Sequence, residues 1–167
     1  VGVLDGGLFL REASSARYRA HRHDPAVADS LSSNYVTALR AGQDGLLWVG
    51  TLTGGLNRCR IQPWSCQHFD GRADGPGGLR GRFVTALRHE RGGGLWVTTN
   101  PGGLHLARFD PDGREVGFER WDTQRGLLSD SILSVEADDD GTVWVSSPLG
   151  LSHLDPATGR IENHVLQ

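Results

Sequence analysis

The chain has 167 residues, a formal net charge of −3 and 37% hydrophobic residues, so it is long and apolar enough for one domain with a core. No Lys- or Arg-rich block stands out, which argues against a nucleic-acid partner, and no run of about 18 apolar residues predicts a transmembrane helix. The 24 glycines favour many short strands joined by tight turns.

In chain order, the sequence first predicts two strands, at residues 7–11 and 17–21. Four more apolar stretches follow, at residues 35–40, 46–50, 55–61 and 66–70. Asp44-Gly45 supplies a hairpin turn between the first two of them, and Pro63 lies outside the strands, as its missing N–H requires. Matching third-to-fourth-strand turns are predicted at residues 110–113 and 155–159.

An internal repeat organises these strands. Trp48, Trp96 and Trp144 follow one another at a spacing of 48 residues, each in a similar stretch: GLLWVGT, GLWVTT or GTVWVSS. Four antiparallel strands every ~40–50 residues are typical of a propeller blade. We therefore predict an all-β fold, a β-propeller of four-stranded antiparallel blades, with the three tryptophans packed between blades. The glycines that precede the third strands are predicted to be sites of close backbone approach: Gly55, Gly103 and Gly150.

The period also predicts the blade boundaries. Residues 1–27 form the second half of an incomplete blade, and residues 28–75, 76–126 and 127–167 form one blade each. Val1-Gly2 aligns with Val49-Gly50, so the first residues belong to a second strand. The sum is about 14 strands, or about three and a half blades, whereas propellers usually have 4–8 blades. We expect a fragment of a seven-bladed propeller, completed by the rest of the same protein or by another copy of the chain.

The repeat resembles that of a known family. SSNYVTALRAGQDGLLWVGTLTGGLNR and GLLSDSILSVEADDDGTVWVSSPLGLSHLDPATGRI are similar to the two-component-regulator propeller repeat, in which a Val-led strand, an Asp-Gly turn, a WVGT strand and a Gly-Leu strand follow in order. Two turns depart from this pattern: Gly92-Gly93-Gly94 lacks the Asp, and the turn at Pro148 is one residue shorter.

This resemblance implies a location and a role. Members of the family form seven-bladed propellers in the extracytoplasmic, periplasmic part of bacterial inner-membrane sensors, followed by a transmembrane helix and a histidine kinase or diguanylate cyclase domain. Some members detect oligosaccharides. The resemblance therefore implies a non-catalytic sensor segment whose parent protein is anchored in the membrane.

The sequence contains few candidates for a metal site or a catalytic site. His21 and His23 would share one side of a strand. They are either a pair of metal ligands or part of a solvated strand edge, and the strand edge is favoured. Asp138-Asp139-Asp140 fits the acidic side of a hairpin turn better than a calcium loop. No nucleophile elbow or phosphate loop occurs. We expect no cofactor, no metal and no catalytic residue.

The two cysteines flank the third-to-fourth-strand turn of one repeat. Cys59 and Cys66 would be directly opposed in that hairpin, and opposed residues come within reach of a disulfide. A bridge would fit an oxidising compartment, while two free thiols remain the alternative.

A ligand site is predicted on one face of the propeller. The loops that lead into the first strands and those that join the second and third strands share an end of the blades, because antiparallel strands alternate in direction. Their amide, hydroxyl, aromatic and Arg side chains suit a polar ligand, such as an oligosaccharide. The predicted ligand-binding residues are Asn34, Tyr35, Thr51, Thr53, Arg82, Phe83, Asn100, Asp130, Ser131 and Ser147.

The functional prediction is a ligand-sensing propeller module of a bacterial signalling protein. A protein-interaction scaffold is the first alternative, because propellers commonly present a loop face to partners. A lyase-type propeller enzyme is the second, and it would need a metal and a histidine on the loop face. Fold alone does not decide among these functions.

Overall fold

The computed structural model describes residues 1–72, 77–110 and 114–165. These residues form β-strands joined by turns, together with a short 3₁₀ helix at Thr123–Arg125. The all-β prediction is confirmed. In the described ranges, no helix is long and apolar enough to cross a membrane.

Fifteen strands in the described residues form four separate antiparallel sheets, which we number blades 1 to 4. Blade 1 contains β1 (Gly2–Val3), β2 (Gly7–Arg11) and β3 (Tyr18–His21). Blade 2 contains β4 (Val36–Ala41), β5 (Leu46–Thr51), β6 (Leu56–Arg60) and β7 (Ser65–Phe69). Blade 3 contains β8 (Val84–His89), β9 (Leu95–Thr99), β10 (Gly103–Phe109) and β11 (Glu115–Trp121). Blade 4 contains β12 (Ser134–Ala137), β13 (Val143–Ser147), β14 (Gly150–Asp155) and β15 (Arg160–Val165).

Each strand pairs with its neighbour in sequence, as in a propeller blade. The four strands predicted for blade 2 lie within one residue of the observed bounds. The sequence predicted 14 strands, and the described residues contain 15. The additional strand is Gly2–Val3, which pairs with β2; its residues were assigned to part of a second strand but left out of the count of 14. Two predicted features, the turn at residues 111–113 and the blade boundary at 75/76, lie outside the described residues.

The core consists of side chains packed between adjacent blades. Trp48 of blade 2 is 6% exposed and shares a cluster with Leu87 and Leu95 of blade 3. One period later, Trp96 of blade 3 is 1% exposed and packs with Ile132 and Val145, which belong to the blade 4 repeat. Burying such side chains stabilises the fold by about 1.5–3 kcal/mol each, so every blade depends on its neighbour for most of its stability.

The first strands of adjacent blades are joined by hydrogen bonds from threonines. Thr37 lies at a register shift in β4 and donates through Oγ1 to the carbonyl of Val84 at 2.6 Å. Thr85 holds the same position in β8 and donates to the carbonyl of Ile132 at 2.7 Å. These bonds fix the spacing of the first strands and therefore the positions of the loops that lead into them.

Candidate functional site

The predicted ligand loops do meet at one end of the blades, which we call the loop face. It is formed by the loops leading into the first strands (residues 30–35, 79–83 and 126–133) and the second-to-third-strand turns (residues 51–55, 99–103 and 147–150). Within blade 2, the Leu52 N–H donates to the Tyr35 carbonyl at 2.9 Å, and in blade 3 the Asn100 N–H donates to the Phe83 carbonyl at 2.9 Å. The two kinds of loop are therefore joined in each of these blades.

Neighbouring blades are also joined across the loop face. The N–H groups of three glycines, Gly7, Gly55 and Gly103, each donate at 2.9 Å to a carbonyl of the next blade's leading loop. The three acceptors recur at the 48-residue period: Asn34, Arg82 and Asp130. The loop face is consequently one continuous, hydrogen-bonded surface across four blades.

Some of the predicted ligand residues present their side chains to solvent. Tyr35 is 37% exposed, and Thr53 and Arg82 are exposed. Phe83 and Asn100 are half-buried. The Arg82 guanidinium makes no ion pair with any carboxylate in the described residues. The Thr53 hydroxyl lies 2.9 Å from the Ser33 hydroxyl and is hydrogen-bonded to it. An exposed aromatic ring and a cation without an ion pair are thus spread over the loops of two adjacent blades.

Other predicted ligand residues are engaged within the protein. Thr51 is fully buried, and its Oγ1 donates to the Gly55 carbonyl at 2.8 Å and accepts from the Gly54 N–H. Ser147 makes the same type of turn with Gly150. The carboxylate of Asp130 accepts from the Thr123 N–H at 2.7 Å.

Two further predicted residues, Asn34 and Ser131, take part in holding the leading loops. The Asn34 side chain accepts from the His23 N–H at 2.8 Å. The Ser131 N–H donates to the Ser129 hydroxyl at 3.0 Å, and Ser131 is half-buried. The Asn34 side chain and the Ser131 backbone N–H therefore each form a hydrogen bond that holds a leading loop in place.

Sequence analysis missed a set of buried polar side chains beneath the loop face. Asn57, His105 and Ser152 occupy equivalent positions near the start of the third strands and are 0%, 0% and 3% exposed. Each accepts a hydrogen bond from a backbone N–H in the leading loop of its own blade. The donors and distances are Ser32 at 2.9 Å, Arg80 at 3.2 Å and Leu128 at 3.3 Å. We call these three side chains the loop anchors.

The repeat itself contained a signal for the loop anchors. Asn57 and His105 lie one period apart, and Ser152 lies one residue early because the turn at Pro148 is shorter. At this position each third strand carries a different polar residue directly after the apolar Leu56, Leu104 or Leu151, and a polar position that recurs with the repeat indicates a polar group with a fixed partner.

Three of the six remaining histidines have backbone partners. Ring nitrogens of His23, His68 and His89 lie 2.6 Å from the carbonyls of Leu31, Ser30 and Ala41. His21 stacks on Trp64 with ring centroids 3.7 Å apart. His21 and His23 therefore take part in separate contacts, and the described residues contain no group of three His, Cys, Asp or Glu side chains that could hold a metal ion.

The acidic run and the cysteines lie away from the loop face. Asp138 accepts from the Trp144 Nε1–H at 3.0 Å, and Asp140 accepts from the Thr142 N–H at 2.9 Å, so both carboxylates stabilise the β12–β13 hairpin. Cys59 and Cys66 are opposed in β6 and β7 and form a disulfide.

A cavity of about 600 Å³ lies between blades 2 and 3 at the opposite end of the strands. The Arg58 guanidinium stands 5.8 Å from the Trp48 ring and 5.5 Å from the Phe109 ring at its wall. Arg60, Arg91 and Glu90 also line it. This cavity could not be predicted from the sequence, because it forms only where hairpins of adjacent blades meet.

The repeat was compared with known families. Residues 30–53 match the family described as "Two component regulator propeller". The chain carries a regulator-propeller repeat. The resemblance noted in the sequence is thereby confirmed, and the matched residues include the leading loop and the first two strands of blade 2.

Solved structures share the fold around this regulator-propeller repeat. One is the extracellular domain of BT3049 from B. thetaiotaomicron, assigned as a hybrid two component system. It is 19% identical to this chain with a TM-score of 0.77, and the match covers 90% of this chain and 21% of that chain. Another is the extracellular domain of BT4673 from the same organism: 20% identity, TM-score 0.74, 96% and 22% covered. A third is PorZ, a surface component of the type-IX secretion system of Porphyromonas gingivalis: 18% identity, TM-score 0.61, 84% and 20% covered.

These likenesses establish the propeller fold of the chain. The chain spans only about a fifth of each of these structures. No curated protein shows significant sequence similarity to it.

Proposed function

We propose that the chain is part of an extracytoplasmic sensor propeller and binds a polar ligand, such as an oligosaccharide, on its loop face. The observation that carries this proposal is the continuity of the loop face, where leading loops of one blade are bonded to glycines of the blade before. A ligand that contacts Tyr35 and Arg82 touches two blades at once. Its binding energy can therefore favour one packing of adjacent blades over another.

In this proposal, the longer protein that contains the chain lies in the bacterial inner membrane, with the propeller in the periplasm. Ligand-dependent changes in blade packing would then be passed to a membrane-spanning segment and a signalling domain. The fold shared with extracellular domains of two-component systems supports this location. The outward face of blade 4, where Leu151 is 44% exposed, is proposed to pack on further blades of the same protein or on another copy of the chain.

The proposed role is binding without catalysis. Three histidines contact backbone carbonyls and His105 accepts a backbone hydrogen bond, so four of the seven rings are engaged with the backbone. None of the seven lies in the loops that form the loop face. A lyase-type enzyme would need a histidine that is free to act on a substrate.

A protein-interaction scaffold is the second candidate function. Leu133 and Leu149 lie on the loop face and are 48% and 53% exposed. Apolar side chains of this kind favour a protein surface as the partner. The fold shared with PorZ, a surface component of a secretion system, is consistent with this alternative.

The test is a calorimetric screen of neutral and acidic oligosaccharides against the 167-residue chain and two arginine variants. Arg82→Ala removes the cation of the loop face, while the control Arg60→Ala removes an exposed cation at the cavity on the opposite end. We expect Arg82→Ala to weaken binding about tenfold, the usual effect of losing one charged hydrogen bond, and Arg60→Ala to leave it unchanged. The reverse result would move the site to the cavity, and absence of binding by any sugar would favour the scaffold.

A further inference from the structure

The three loop anchors hold equivalent loops with chemically different acceptors. Asn57 accepts through an amide oxygen, Ser152 through a hydroxyl oxygen and His105 through the imidazole Nε2. An amide or a hydroxyl group keeps its acceptor oxygen at any ordinary pH. An imidazole nitrogen accepts a hydrogen bond only while it carries no proton, so blade 3 is held by an anchor that acid can remove.

The histidines that hold blade 2 differ from His105 in this respect. His68 and His23 contact the carbonyls of Ser30 and Leu31, so their rings donate. A donating N–H is kept when the ring gains a proton. Among these three histidines, His105 is the one whose hydrogen bond to a leading loop requires the neutral ring.

The surroundings of His105 oppose its protonation. Burial is the main cause that lowers its pKa from the ordinary value of 6.5 to about 4. The charged groups facing the ring are Arg80 and Arg120, which lower the pKa further, and Asp122, which raises it. The Nδ1 atom makes no hydrogen bond of good geometry, although the Val97 carbonyl still raises the pKa.

We propose that His105 is a positioning residue for the loop face: in its neutral form it helps to fix the leading loop of blade 3, and its protonation breaks the bond to the Arg80 N–H and loosens that loop. The Thr99 hydroxyl still donates to the Arg80 carbonyl at 2.7 Å, so the loop stays attached to blade 3 at that point. The loop carries Arg82 and Phe83 two and three residues after the anchored N–H of Arg80. When His105 is protonated, the Nε2–H and the Arg80 N–H are two donors facing each other. Only the consequence for ligand binding rests on the proposed function; the release of the loop does not.

The pH range in which the His105 anchor weakens follows from the direction in which its pKa is shifted. Because the pKa of His105 is lower in the anchored protein than in a released loop, the anchor is fully effective above pH 6.5 and weakens as the pH falls towards 4. If release of the loop returns the pKa of His105 to 6.5, the ratio of released to anchored loop rises about twentyfold between pH 7 and pH 5, and this is the largest change expected. No further weakening is expected once both forms are protonated.

The experiment is residue-resolved amide hydrogen exchange on the 167-residue chain at pH 7, 6 and 5, corrected for the intrinsic pH dependence of exchange. The amides compared are the three donors to the anchors, those of Ser32, Arg80 and Leu128. We expect protection of the Arg80 amide to fall severalfold, by up to about twentyfold, between pH 7 and pH 5, while the other two change little. Equal loss at all three amides would overturn the proposal, because it would indicate general loosening of the protein.

Two variants, each of which carries the anchor residue of the other blade, form a matched pair. His105→Asn gives blade 3 the anchor of blade 2, and we expect the Arg80 amide to lose its pH dependence. Asn57→His gives blade 2 the anchor of blade 3, and we expect the Ser32 amide to acquire one. Persistence of the pH dependence in His105→Asn contradicts the proposal.

The wild-type protein alone gives a decisive measurement if a variant does not fold. Nitrogen NMR of His105 at pH 7 is expected to show an unprotonated Nε2 and a proton on Nδ1. A proton on Nε2 would overturn the proposal, since that nitrogen could not accept from Arg80. These measurements use no ligand, so their failure is distinct from failure of the sensor function, which the oligosaccharide screen tests.

Discussion

At the scale of single residues, glycines at the start of the third strands allow the third and fourth strands of a blade to lie close together. Gly55 has φ of 75°, and a Cβ at this position would lie 2.1 Å from the carbonyl oxygen of Phe69. Its N–H meanwhile donates to the Arg82 carbonyl of the next blade. A side chain here would therefore strain the β6–β7 pairing and the loop face together.

Gly55→Ala is expected to destabilise the chain more than Gly45→Ala. Gly45 has φ of 74° but nothing within 4 Å of its added Cβ. The left-handed backbone alone costs about 1–2 kcal/mol, which is the effect expected for Gly45→Ala. Gly55→Ala adds the steric conflict and a weakened hydrogen bond, for a total of about 3 kcal/mol or more. Urea midpoints of the two variants provide the comparison, and equal values would show that the strand accommodates the methyl group without cost.

Residue types alone predict which positions are structural better than which ones face a ligand. The spacing of Trp48 and Trp96 indicated their packing between blades, because a large apolar side chain at one strand position has few other uses. The buried Thr51 and Ser147 could not be separated in the same way from the exposed Thr53, whose hydroxyl bonds to Ser33 at 2.9 Å. A hydroxyl group bonds to a nearby backbone as readily as to a ligand, and only the closed turn shows which of these it does.

At the scale of single elements, the hairpin of β6 and β7 is joined by the Cys59–Cys66 disulfide. Both cysteines are almost fully buried, at 0% and 6% exposure, in the cluster that packs blade 2 on blade 1. The register of the hairpin could be worked out from the sequence, since Cys59 lies opposite Cys66 as its turn residues indicated. The formation of the bond could not, because it depends on the oxidation state of the compartment.

Reduction of this disulfide is expected to lower the free energy of unfolding by about 2–3 kcal/mol, the cost of releasing a short closed loop in the unfolded chain. The measurement is the urea midpoint with and without a reductant. The double variant Cys59→Ala, Cys66→Ala is the control, and its midpoint should not respond to the reductant. A shift in the control would assign the effect of the reductant to something other than this bond.

At the scale of the whole molecule, the stability of each blade depends on the next one. The fold was predictable because the 48-residue period forces the same four-stranded unit to recur. The loop anchors and the cavity were not, because both are made by contacts between segments far apart in the chain. Blade 4 shows what a blade is like without a following neighbour among the described residues: Trp144 is half-buried and Leu151 is 44% exposed.

This dependence predicts unequal effects for two tryptophans that occupy the same position of the repeat. Trp96→Ala should cost about 3–5 kcal/mol, since the ring is 1% exposed between blades 3 and 4. Trp144 instead stacks on His153, with ring centroids 4.2 Å apart, on a face that no described blade covers. Trp144→Ala should therefore cost about 2 kcal/mol, the sum of such a ring pair and of the hydrogen bond from Nε1 to Asp138.

Chemical denaturation of both variants at low protein concentration tests this difference. Sedimentation of the wild-type chain over a range of concentrations gives the control for association. Equal costs in a monomeric chain would contradict the account of blades that depend on their neighbours. Equal losses of unfolding free energy together with self-association would instead mean that a second copy covers blade 4. Truncation of Trp144 can cost as much stability as truncation of Trp96 only if Trp144 is covered as well.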